Sequence, residues 1–152
     1  MLNLFTCKTF AARGILVRMK QMYETGMIST APNAHCYTAV INSCAYCIND
    51  ATEKKTALGI ALDTYKELER TPSHGSANHV TYAEVIGALA NLLPPSVKRT
   101  EAIRSVFKRC QEVGQVDRLV VKRLQSSLTP DELKETLLTC DESIVSPGAL
   151  VN

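Results

Sequence analysis

Cys44-Ala-Tyr-Cys47 sets two thiols three residues apart, the spacing with which thiolates grip zinc or exchange a disulfide. His35 and Cys36 stand upstream as further donors. A structural zinc site takes a second pair at matching spacing, and none follows. Both cysteines also fall on apolar positions of helical period, where Cys behaves as a small hydrophobe. No metal and no cofactor is therefore expected. The six cysteines (7, 36, 44, 47, 110 and 140) are scattered without a secretory signal, which points to reduced thiols inside a cell. There is no Gly-rich phosphate loop, no GxSxG elbow and no HExxH helix. The carboxylates of Asp50-Ala-Thr-Glu53 and Thr129-Pro-Asp-Glu132 read as capping groups, and the five aspartates are spread over separate helices and turns. No enzyme is expected.

The polar residues that recur tell more. Asn33 to Ala45 aligns with Asn78 to Ala90 at a constant offset of 45, with Asn33/Asn78, Tyr37/Tyr82, Val40/Val85, Ile41/Ile86 and Ala45/Ala90 identical. Repetition at this period signals stacked supersecondary units, and it directs attention from a pocket to a surface.

Helices must carry these residues. Tyr37, Val40, Ile41 and Cys44 form a stripe at i, i+3, i+4, i+7, which predicts a helix from Asn33 to about Ile48. A second opens at Asp50 and ends near Thr71-Pro72, because proline cannot continue it. Asn78 starts the next pair, broken at Pro94-Pro95 and resumed from Val97 to Val113, with Gly114 as the closing glycine. Further helices are expected over Arg118–Ser127 and from Thr129 to about Cys140, then a loose tail. Ile15, Met19, Met22 and Gly26 match Ala61, Tyr65, Leu68 and Pro72, and then Ile103, Phe107, Cys110 and Gly114. The expected fold is all-α, an α-solenoid of stacked antiparallel helix pairs, a tetratricopeptide-like superhelix. Residues 1–33 hold a first segment with only the second helix of its pair. Residues 34–78 and 79–117 form two repeats, 118–142 a partial or capping unit, and 143–152 the tail.

Composition agrees with a folded domain: 45% of residues are apolar and tryptophan is absent. No apolar run approaches the roughly 18 residues of a membrane span, so no membrane partner is expected. Net charge is +2, yet Lys98 to Arg123 holds eight basic residues against three acids. Such a stretch attracts phosphate, or is simply a solvated helix face. The first 23 residues carry Lys8, Arg13, Arg18 and Lys20 and no acid, which matches a transit peptide as well as a first helix.

Asn78-His-Val-Thr-Tyr-Ala-Glu-Val-Ile resembles the opening signature of the pentatricopeptide repeat family. Pro32-Asn33, the second-helix patterns at 61–68 and 103–110, and Gly26 and Gly114 are similar to that family's later positions. The resemblance covers roughly residues 13–127. The 45-residue middle repeat is longer than the family's unit, with the surplus around Asn49–Lys55 and Pro72–Gly75.

The resemblance implies binding of single-stranded RNA, one base per repeat read by two or three side chains. It implies a role in organellar RNA processing, stability or translation, in a mitochondrion or plastid, the cytoplasm being the alternative. Carried over, the readers of the middle repeat fall on Thr38 and Asn78, a pair resembling the family's adenine code. Those of the next repeat fall on Ala83 and Asp117, where alanine leaves selection to Asp117. His35 and Val80 would sandwich bases, Asn33 closes the first unit, and Lys122 would meet a phosphate.

Each residue also has a plainer reading. Asn33 and Asn78 stand where helix N-caps belong, and both roles are compatible. Thr38 can bond back within its helix. Val80 and the tyrosines suit packing, and His74 and His79 suit loops. The competing function is a helical-repeat scaffold that grips a protein partner.

Overall fold

The computed structural model describes the backbone of residues 4–141 and the side chains of residues 8–139. The described chain is all-helical: α1 (Leu4–Glu24), α2 (Ala34–Ala45), α3 (Ala51–Arg70), α4 (His79–Leu92), α5 (Val97–Glu112), α6 (Arg118–Ser127) and α7 (Pro130–Asp141). A short 3-10 turn, Pro72–His74, links α3 to α4. The tail expected at 143–152 lies outside the described residues.

Polar caps fix where the helices start. Asn33, Asp50, Asn78, Ser96 and Asp117 each accept backbone N–H bonds from the first turn of α2, α3, α4, α5 and α6. The reciprocal box expected at Thr129 is present. Its N–H donates to Glu132 Oε2 at 2.8 Å while Glu132 N–H donates back to Thr129 Oγ1 at 3.3 Å. The box expected at Asp50 is only half made, because Glu53 accepts from Asn49 Nδ2 instead. That cap draws Ala51–Lys55 into α3, so most of the first surplus segment is helix rather than loop. Gly26 and Gly114 close α1 and α5 at φ 74° and 71°, a left-handed conformation that suits glycine. α2 ends at Ala45, three residues short of the expected Ile48.

α2 lies against α1, α3 and α4; α4 lies against α2, α3, α5 and α6; α7 touches α5 and α6. The helices α2, α4 and α6 thus contact one another in order. The stripes Tyr37–Val40–Ile41–Cys44 and Tyr82–Val85–Ile86–Leu89 are buried, as their period predicts. Each such large apolar side chain contributes on the order of 1.5–3 kcal/mol.

Both tyrosine hydroxyls find partners: Tyr37 Oη with His74 Nδ1 at 2.7 Å, and Tyr82 Oη donating to Glu69 Oε1 at 3.2 Å. His74 therefore has a structural duty that the sequence did not disclose. Burial, with the nearby Glu67 carboxylate, pushes the Tyr37 phenol up to about 12.

α1 belongs to this packing. Leu16 and Thr9 are buried, Thr9 Oγ1 donates to Ser43 O at 3.3 Å, and Glu67 of α3 pairs with both Arg13, at 2.8 Å, and Lys20. Two of the four cations that gave this stretch its transit-peptide composition are thus bound to a neighbouring helix.

The Cys44 and Cys47 thiols are buried, and burial pushes Cys44 up to about 11 and raises Cys47. A protonated, enclosed thiol is a poor ligand and a poor nucleophile. Among the described residues no cluster of His, Cys, Asp and Glu is arranged to hold a metal, and no helix is long and apolar enough to cross a membrane.

Candidate nucleic-acid interface

Asn33, Asn78 and Asp117 occupy one equivalent position, the N-cap, in α2, α4 and α6. Asn33 Oδ1 accepts from His35 N at 3.1 Å and Cys36 N at 3.3 Å; Asn78 Oδ1 accepts from Val80 N at 3.0 Å and Thr81 N at 3.1 Å. Asp117 Oδ1 accepts from Val120 N at 3.0 Å. In each residue one oxygen is committed to the helix. The amide nitrogens of Asn33 and Asn78 take no part in the hydrogen bonds among the described residues. Asp117 Oδ2 lies 3.8 Å from His79 Nε2, at the start of α4.

Thr38 has a different situation from the one expected of a base reader. It is 9% exposed, with Oγ1 2.8 Å from Ala34 O and 2.8 Å from Thr81 Oγ1 on α4. A hydroxyl has a single proton. If Thr38 gives it to Ala34 O, it faces Thr81 Oγ1 as an acceptor and has no proton left to donate to a base. Thr38 thus ties α2 to α4. Ala83, at 0% exposure, is equally part of the packed floor. Thr38 and Ala83 lie on α2 and α4, as expected, and both are buried there.

The other expected residues reach solvent. His35 and Lys122 are exposed, and Val80 is half-buried. Val80 takes the same place on α4 as His35 on α2, and Leu119, exposed, takes it on α6. Leu119 was missed because α6 has no Thr-Tyr pair to align it. Its offset of 39 from Val80, the same as Lys122 from Ala83, was the available signal.

Glu84 was missed as well. Its Oε2 accepts from Asn42 Nδ2 of α2 at 2.9 Å, and its Oε1 lies 3.5 Å from Arg123 Nη2 of α6. One polar rung thus spans α2, α4 and α6. The Arg123 guanidinium lies over Gly87, within ordinary contact distance, 3.4 Å, of where a Cβ would stand.

The basic stretch is divided by the fold. Lys98, Arg99, Arg104, Lys108 and Arg109 are on α5, and Arg118, Lys122 and Arg123 on α6. Arg104 pairs with Glu135 and Arg109 with Glu69 and Glu112. Only the α6 group shares helices with the cap row. Arg118 and Lys122 enter none of the ion pairs among the described residues. With Leu119 and Ser126, Lys122 and Arg123 line a shallow depression of about 220 Å³.

Compared with protein-family models, curated proteins and solved structures, the chain matches none.

Proposed function

We propose that the chain is a short helical-repeat module of the pentatricopeptide type, an α-solenoid that holds single-stranded RNA along the face made by α2, α4 and α6. The observation that carries this reading is the cap row: Asn33 and Asn78 each spend Oδ1 on the helix and keep an amide nitrogen for a ligand, and Asp117 spends Oδ1 the same way and holds Oδ2 3.8 Å from His79 Nε2, where a base N–H would compete with the imidazole. Hydrogen-bond chemistry then assigns preferences. Asn78 offers an N–H donor, which suits the ring-nitrogen acceptor of adenine or cytosine; Asp117 offers an acceptor, which suits the ring N–H of guanine or uracil. His35, Val80 and Leu119 supply surfaces for base faces, and Arg118 and Lys122 supply cations for phosphates.

With Thr38 and Ala83 under the floor, one side chain rather than two contacts each base. Selectivity is correspondingly weak, and occupancy of a short strand is the mechanism: the bound segment is blocked, exposed or delivered. Its place of action, a mitochondrion or plastid, follows from the same family resemblance, with the cytoplasm as the alternative.

A second reading, a scaffold that grips an extended protein segment, is favoured by the Asn42–Glu84–Arg123 rung, whose mixed charge suits peptide as well as phosphate. Binding of fluorescent poly(A) and poly(U) oligomers at two salt concentrations separates the two. Salt-dependent binding that Lys122→Glu and Arg118→Glu weaken supports RNA; absence of binding at low salt supports the scaffold.

A further inference from the structure

A groove at the C-terminal end of α4 has no part in the reading above. The turn before α3 and the first turns of that helix make one wall, and the turn between α4 and α5 makes the other. Its volume is about 630 Å³, a size that holds a small molecule. None of the residues lining it belongs to α6 or to the cap row. Two hydrogen bonds brace it. Asn91 Nδ2 donates to Ala45 O at 2.9 Å, tying α4 to the end of α2, and Arg99 Nη1 donates to Ala90 O at 3.3 Å, tying α5 to α4. The groove is therefore formed before a ligand arrives, which spares the cost of ordering it. The wall that carries Lys54 and Lys55 is the surplus segment of the 45-residue repeat, drawn into α3 by the Asp50 cap.

Its lining joins apolar surface to unspent charge. Leu58 and Leu93 are half-buried and Leu92 is buried. Lys54, Lys55 and Arg99 enter none of the ion pairs among the described residues. Arg99 Nε is enclosed without a hydrogen-bond partner. Glu132 senses the Arg99 charge, but its Oε1 accepts from Thr100 Oγ1 and its Oε2 from Thr129 N–H. Arg109, by contrast, is answered by Glu69 and Glu112.

We propose that this groove binds a small phosphomonoester with an apolar or aromatic body. Charge selects the head group. Three cations against Asp50, the one acid in the lining, leave two positive charges, which match the nearly twofold negative charge of a phosphomonoester better than a single carboxylate. Lysine and arginine both bring charge-assisted donors to its oxygens. Size and the three leucines select the body, because inorganic phosphate alone would leave most of the groove and its apolar wall wet. A phosphate backbone running past would use the cations but not the leucines. The groove is distinct from the α2–α4–α6 surface, so the inference does not depend on what that surface binds.

The test follows the fluorescence anisotropy of naphthyl phosphate, and of naphthol, titrated with the full chain at physiological salt. Inorganic phosphate and the poly(U) oligomer serve as competitors. The expected result is saturable binding of naphthyl phosphate, about tenfold or more tighter than naphthol. Inorganic phosphate should displace it only at concentrations about tenfold higher. Lys54→Glu combined with Lys55→Glu should weaken binding about tenfold or more, as loss of charge-assisted contacts does. Lys122→Glu on α6 should leave it unchanged. Neither groove lysine hydrogen-bonds to the described fold, so the thermal midpoint should hold. Should it fall, Lys55→Gln alone, at an exposed position, still has to weaken binding measurably. Absence of saturation, equal affinity for naphthol, or unchanged affinity in the lysine variants overturns the inference. So does displacement of naphthyl phosphate by the poly(U) oligomer, because the groove would then belong to the path of a polynucleotide.

Discussion

Thr38 and Thr81 share one hydrogen bond, Oγ1 to Oγ1 at 2.8 Å, and through it α2 is tied to α4 directly behind the Asn78 cap. Replacing Thr38 by valine keeps the shape and removes the hydroxyl. The loss should cost about 0.5–1.5 kcal/mol, the net worth of an ordinary intramolecular hydrogen bond. Urea denaturation measures it. RNA affinity, measured well below the melting transition, should be unchanged; a marked loss would return Thr38 to the role of base reader.

Acid stability should depend on Glu67. Burial raises its carboxyl, but the hydrogen bonds from Lys20 and Arg13 outweigh burial and hold it below the usual glutamate value. A depressed folded value means the contribution is present above the unfolded value, near 4.5, and is lost as pH falls through the folded one. The thermal midpoint of the native chain should therefore fall on acidification below about pH 4.5. Glu67→Gln should start lower at neutral pH and fall less over the same range.

At the alkaline end the tyrosines take over. Burial first, then neighbouring carboxylates, raise the Tyr37 and Tyr65 phenols to about 12, and Tyr82 is raised as well. A raised folded value gives a contribution that is complete below the unfolded value of 10 and disappears as pH climbs toward 12. Unfolding followed by circular dichroism should begin above pH 10, and Tyr82→Phe should shift its onset upward.

How far these relations could be read beforehand differs by residue. The helix periods, the stripes headed by Tyr37 and Tyr82 and the closing glycines at 26 and 114 were legible, because local periodicity and φ preference set them. Asn33 and Asn78 were legible as caps for the same reason. The bond of Thr38 back to Ala34 was legible too, but its tie to Thr81 was not, since that depends on how closely α4 approaches α2, a distance no single helix encodes. Glu84 and His74 acquire their partners from residues 39 and 37 positions away, Arg123 and Tyr37, and pairings of that kind leave no local trace. The basic stretch read as one feature in sequence only because the turn between α5 and α6 is short.

Thiol chemistry should follow the packing. Among the four described cysteines, Cys36 is half-exposed while Cys44, Cys47 and Cys110 are buried, and burial pushes Cys44 and Cys110 up to about 11. Brief alkylation of the native chain, mapped by mass spectrometry, should label Cys36 ahead of those three. Full labelling of Cys44 and Cys47 should require denaturant. Fast native labelling of Cys44 would mean that the α2 core opens readily.

The most direct test of the cap-row account is the base preference of Asn78→Asp. Aspartate caps a helix as well as asparagine does, so stability should hold within about 0.5 kcal/mol. Only the outward atom changes, from an N–H donor to an acceptor. Anisotropy titrations with poly(A) and poly(U) oligomers should show the native chain favouring adenine and the variant moving toward uracil. A shift of about tenfold in the affinity ratio corresponds to 1.4 kcal/mol. An unchanged ratio, with RNA still bound, would contradict the assignment of Asn78 as a base contact.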